Sequence, residues 1–130
     1  MSTLRRCIST PDAPPPIGPY CQGNIAGPYV FTSETGGVDP KTGKLPPDGG
    51  IGGQTNQVID NVQAILRAGG CELEDVAKVV VYLTDLAHFE AMNEVYKKRF
   101  AQPFPVRSIV PGPLPGKDAL VAMEAIALRP

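Results

Sequence analysis

An arginine inside an apolar run is the residue of this chain with the most chemistry to offer. Arg107 stands in Val106-Arg107-Ser108-Ile109-Val110, directly after a stretch broken by Pro103 and Pro105. A charge in such a context is costly unless it is paired. Its planar guanidinium matches a carboxylate with two parallel hydrogen bonds. Two readings are open on local residues alone. Arg107 grips the carboxylate of a bound small molecule, or it forms an ion pair with a glutamate inside the chain or at a subunit interface. No other constellation competes with it. The single histidine, His88, and the scattered Cys7, Cys21 and Cys71 have no metal-ligand spacing and no C-x-x-C pair. Odd in number, these cysteines read as buried or idle thiols of a reducing compartment, and no metal is implied. The stretch Gly36 to Gly53 is rich in glycine and proline ahead of a helix, yet it carries no phosphate-loop pattern. It reads as a lid or connection without a strand.

Composition narrows the class. A net charge of −1 leaves no electrostatic footprint for nucleic acid or an anionic membrane. No apolar run approaches the roughly 20 residues that span a bilayer. The N-terminus has arginines but no apolar segment behind them, so it does not read as a secretory signal, and a cytoplasmic location is expected. With 130 residues, 42% of them hydrophobic and 19% charged, residues 1–130 read as one globular domain without linker or repeat.

The elements that must position Arg107 follow from periodicity and punctuation. A short strand is expected around Arg5 to Ser9. The proline-rich Pro11 to Pro19 could serve as a polyproline ligand, but a packed turn into a strand fits better. Strands over Tyr20 to Ala26 and Tyr29 to Ser33 are joined by a Gly27-Pro28 turn. From Gln54, Val58, Val62, Ile65, Leu66 and Gly69 trace one face of a helix that ends at Gly69-Gly70. Asp75 to Leu83 is β-branched and reads as a buried strand. Asp85 caps a second helix whose Phe89, Met92, Tyr96 and Phe100 form a core face. Strands from Val106 to Val110, where Pro111 stops the first, and from Leu120 to Leu128 flank a turn at Leu114 to Asp118. The order β-β-β-α-β-α-β-β predicts an α+β layer pair, one sheet with both helices on one face. The other face would be bare, which predicts an oligomer.

Several segments together resemble a known family. They are Ala13-Pro-Pro-Pro-Ile17-Gly18-Pro19-Tyr20-Cys-Gln22-Gly23, Thr32-Ser33 with Asp39-Pro40-x-Thr42-Gly43, and Gln54-Thr55 with Asn61 and Ala68-Gly69-Gly70. Further along come Asn93-x-x-Tyr96, Phe104-Pro105-Val106-Arg107, Leu114-Pro115 and Glu124-Ala125-Ile126-Ala127. The ordered set runs from Ala13 to the C-terminus and resembles the RidA (YjgF) imine/enamine deaminases, also labelled endoribonuclease L-PSP. The resemblance implies a chorismate-mutase-like α+β fold with one mixed sheet, assembled as a homotrimer with a cleft between each pair of neighbouring subunits. It implies cofactor-free hydrolysis of reactive 2-imino and enamine acids to 2-oxo acids and ammonia. Arg107 and Tyr20 would be catalytic, Arg107 holding the substrate carboxylate, with Tyr20, Ser33, Asn93 and the backbone at Ile109 lining the pocket. On local residues alone, Tyr20 is equally a packed residue, Ser33 a strand-ending hydroxyl and Asn93 an exposed or capping amide.

The chain departs from that pattern at the place where it matters. The family's last strand usually carries a water-orienting glutamate where this chain has Ala122. Glu124 survives two residues on, roughly 7 Å along the strand, and reads as structural. The family's S-G-Q is here Ser33-Glu34-Thr35, so Glu34 is either a displaced carboxylate or a solvated turn charge. Pro111-Gly112-Pro113 replaces a continuing strand and reshapes a pocket wall. Beside the deaminase stand two alternatives: a non-catalytic trimer that binds or senses a small carboxylate through Arg107, and an endoribonuclease or translation inhibitor. The last ranks lowest, lacking a histidine pair, a metal site or a basic groove.

Overall fold

The computed structural model describes residues 4–130, so the first residues of the N-terminal stretch read above lie outside it. Three short strands open the chain: β1 (Arg5–Ile8), β2 (Gly23–Ala26) and β3 (Tyr29–Thr32). β2 and β3 pair antiparallel from Gly23↔Thr32 to Ala26↔Tyr29. Gly27 turns the chain between them at φ +59°, a conformation that a side chain disfavours. The two-residue β4 (Thr35–Gly36) lies at the edge of the stretch expected to hold no strand. Helix α1 (Ile51–Ala68) begins three residues earlier than its apolar periodicity suggests, taking Gly52 and Gly53 into its first turn. A side chain at Gly53 would meet the carboxylate of the exposed Asp48, which accepts from the Gly50 amide at 3.1 Å and would have to shift.

Strand β5 (Val76–Leu83) leads through a 3-10 turn at Leu86–His88 into α2 (Phe89–Arg99). Asp85 caps that turn rather than the α-helix itself, accepting from the Ala87 amide at 2.9 Å. β6 (Val106–Pro111) and β7 (Val121–Leu128) complete one sheet in the order β1-β2-β3-β7-β5-β6, with β4 also paired to β7. Among the described residues only the β5–β6 pair is parallel, because α2 crosses between them; the sheet is mixed.

Alternation along the strands sorts the side chains between two faces. Val121, Met123, Ala125 and Ala127 of β7 and Val79, Val81 and Leu83 of β5 are buried under Val58, Val62 and Ile65 of α1, Met92 and Tyr96 of α2 and the Phe100 that caps it. Both helices therefore cover one face. Tyr29, Phe31 and Leu128 lie outside that core, 47%, 37% and 50% exposed, and no described element of the chain covers them.

The cysteines correct the sequence reading. Cys7 and Cys21 form a disulfide, with Cα atoms 5.7 Å apart, and only Cys71 is free and buried. Their spacing of 14 residues carries no local signal. The bond becomes reachable only when β1 folds back antiparallel on β2 and sets Cys7 opposite Asn24, close to Cys21. With it goes the argument from idle thiols to a reducing compartment.

Candidate functional site

The end of the sheet where β4 meets β7 opens into a cavity of roughly 930 Å³. The proline-rich lead-in forms one wall with Pro14, Ile17 and Tyr20. The segment from Ser33 to Val38 forms a second and the loop from Leu114 to Ala119 a third, with Ala122 between them.

Three buried amides hold these walls. Gln22 donates to the carbonyls of Thr10, Ala13 and Pro14 at 3.1, 3.2 and 2.8 Å and accepts from the Thr10 amide, which fixes the lead-in. Asn61 of α1 donates to the carbonyls of Gly36 and Val38 at 2.9 and 2.8 Å. Gln54 donates to the carbonyls of Gly49 and Asp118 and accepts from the Leu120 amide at 2.8 Å. Each amide satisfies loop groups that have no ladder partner there, which lets irregular chain line a cavity. Sequence reasoning gave these residues no role, although a signal existed. Gln54 and Asn61 share the helical phase of Val58 and Ile65, so two polar residues fall on a core face.

Within the cavity, Ser33 donates its hydroxyl to the Cys21 carbonyl at 2.6 Å. The Tyr20 hydroxyl accepts from the Ile17 amide at 3.3 Å, and its ring stays half exposed. Glu34 lines the same space. Burial, and then the charge of Glu124, push its carboxyl above the usual range. Glu124 lies outside the cavity lining and accepts a hydrogen bond from the Tyr82 hydroxyl. That bond, foremost, with burial and the carboxylate charges behind it, pushes the Tyr82 phenol up to about 12. Lys44, Lys117 and Asp118 complete the polar lining; the sequence reading had not singled them out.

Arg107 lies elsewhere. On β6 it pairs with Val79 of β5 and turns to the helix side, where a guanidinium nitrogen donates to Asn93 Oδ1 at 2.6 Å. The guanidinium carbon sits 4.8 Å from the ring centre of Tyr96 and 5.6 Å from that of Phe89. Tyr96 is buried with its hydroxyl unpartnered, and burial pushes that phenol up to about 12 against the opposing pull of Arg107. Among the described residues Arg107 makes no ion pair with a carboxylate, so a salt bridge inside the chain is not its role. Stacked on faces that attract cations and bonded to a neutral amide, it remains a cation with anion-binding capacity in hand.

The five residues singled out from sequence thus fall into two groups. Tyr20 and Ser33 line the cavity; Arg107 and Asn93 bond to each other, with Ile109 two residues along the same strand. Neither Arg107 nor Asn93 nor Ile109 reaches the cavity lining, because β7 and β5 stand between β4 and β6 in the sheet.

The family model described as Endoribonuclease L-PSP matches residues 10–129. The chain belongs to that family, the RidA/YjgF proteins. A RutC family protein of Pyrococcus horikoshii is 44% identical over 126 residues, covering 97% of this chain and 99% of that one. The 2-iminobutanoate/2-iminopropanoate deaminase of Escherichia coli K12 is 39% identical over 129 residues, covering 97% and 99%. Among solved structures, Escherichia coli TdcF with bound serine superposes with a TM-score of 0.88 at 40% identity, covering 96% of this chain and 99% of that one. The mixed sheet with two helices is therefore the architecture of this family. Ala122 puts a methyl group in the cavity wall.

Proposed function

We propose that this RidA/YjgF-family chain hydrolyses small reactive 2-imino and enamine acids to 2-oxo acids and ammonia, with Arg107 holding the substrate carboxylate. The observation that carries this reading is a half-buried guanidinium that is stacked, oriented by Asn93 and, among the described residues, without a carboxylate partner. The deaminase name of the Escherichia coli relative and the serine bound to TdcF support a substrate with a carboxylate beside a nitrogen-bearing carbon. A protonated imine is already an electrophile. The protein has only to fix its position and deliver water, which orientation alone accelerates strongly.

Two copies are needed to complete the site. The uncovered sheet face with Tyr29, Phe31 and Leu128 is the surface that a neighbour would bury, and packing as a homotrimer would bring Arg107 of one subunit to the Tyr20 and Ser33 wall of the next. The reaction needs no cofactor.

A purified dehydratase with threonine generates the imine, and semicarbazide traps what escapes. Addition of this protein is expected to lower semicarbazone formation, and Arg107→Ala to abolish the effect. Wild-type protein without effect overturns the deaminase reading. Ala122 favours one alternative, a trimer that binds a small carboxylate without turning it over. That reading predicts calorimetric binding lost in Arg107→Ala and no acceleration by the wild type.

A further inference from the structure

The cavity is lined by two carboxylates, and they are not equivalent. Asp118 lies in the exposed loop from Leu114 to Ala119, next to Lys117, with its backbone at φ +61° and its carbonyl tied to Gln54. Glu34 directly follows Ser33 and stands two residues before Gly36, the cross-strand partner of Ala122. Residues two apart on an extended chain share a face. That face is open over Gly36, where an added Cβ would meet nothing within 4 Å, and the buried Ala122 adds only a methyl group to the cavity wall. Glu124, which interacts electrostatically with Glu34, is two residues from Ala122 on the same face of β7. The charged and titratable groups around Glu34 are thus Glu124 from β7, Tyr82 from β5, Tyr20 from the proline-rich lead-in, and Lys44, Lys117 and Asp118 from the cavity loops.

We propose that Glu34 is the general base of this chain, its carboxylate reaching over Gly36 and Ala122 to take a proton from the water that attacks the imine carbon. The inference rests on the deaminase reading and adds the residue that executes it. The water oxygen bonds to carbon, the C=N π pair moves to nitrogen, and the water proton passes to Glu34. The carboxylic acid then protonates the amine of the resulting carbinolamine. The C–N bond breaks as the hydroxyl oxygen forms C=O, and the released ammonia carries off the hydroxyl proton as ammonium. Glu34 returns to carboxylate. A proton acceptor works best when its affinity approaches the operating pH, and burial beside Glu124 moves Glu34 in that direction.

The experiment compares wild type, Glu34→Gln, Glu34→Gln/Ala122→Glu and Arg107→Ala in the semicarbazide assay across pH 4 to 8. Glu34→Gln keeps the shape of a largely exposed side chain while removing its basicity. The expected result is a fall in kcat of about 100-fold or more with KM little changed. The acid limb of the kcat profile should vanish with it and return in the double variant. Glu34→Gln with wild-type kcat and an unaltered acid limb, alongside an inactive Arg107→Ala, overturns the assignment of Glu34 and leaves the deaminase reading standing. An inactive wild type overturns both.

Discussion

Replacing Arg107 with lysine separates a ligand-binding arginine from a structural one, because the charge stays and only the planar fork is lost. Lysine cannot make two parallel bonds to a carboxylate, and one charge-assisted hydrogen bond is worth about 1.5–3 kcal/mol. It also gives up the guanidinium stack on Tyr96, held at 4.8 Å, worth about 0.5–2 kcal/mol. Together these come to about 2–5 kcal/mol, a fall in kcat/KM of roughly 30- to 5,000-fold. Stability should respond only modestly. Among the described residues Arg107 satisfies no carboxylate, and its one side-chain bond goes to the neutral, half-buried Asn93. The lost stack sets the expected ceiling, about 2 kcal/mol or about 6–8 °C in Tm. The assays are semicarbazide competition for kcat/KM and thermal unfolding for Tm. A Tm lowered by more than about 10 °C with kcat/KM within about threefold of wild type would refute the argument, since Arg107 would then be holding the fold rather than a ligand.

Two further outcomes test the walls of the cavity. Gln54→Leu leaves the Gly49 and Asp118 carbonyls and the Leu120 amide without their partner. Water can reach the exposed Gly49 and Asp118, so the loss should be about 2–3 kcal/mol, or about 6–10 °C in Tm, with KM raised as the wall loosens; unchanged Tm and KM would mean the loop is held otherwise. Glu34 has a folded-state pKa above its unfolded value of 4.5, so the native state binds the proton more tightly. Stability should fall as pH rises from the unfolded through the folded pKa, with the deficit complete above that window. Glu34→Gln is therefore expected to raise Tm at pH 7 and lose that advantage at pH 4, and thermal scans showing the same Tm difference at both would contradict it.

Most elements were legible because their signals are local. The Val58-Val62-Ile65-Leu66 phase, the β-branched run before Leu83 and the prolines before Val106 each act within a few residues, and the strands and helices lie there. Gly52 and Gly53 look like loop by propensity, yet both lie in the first turn of α1, where Gly53 approaches the Asp48 carboxylate and Gly52 faces open space. The disulfide escaped notice because Cys7 and Cys21 meet only through strand pairing.

The site divides along the same line. From the sequence by itself came the residue types and their family order: a guanidinium in an apolar strand, a tyrosine and a serine beside tight turns, an alanine where a glutamate is usual, and a glutamate at position 34. Their grouping waited for the tertiary structure. Sheet order sets Arg107 two strands from β7, away from the wall that holds Tyr20 and Ser33. Cross-strand pairing places Glu34 beside the open space over Gly36 and Ala122. Hydrophobic period and turn chemistry are encoded within a few residues of chain, whereas register and the neighbours of a charge depend on which strands meet, and that is settled only when the whole sheet assembles.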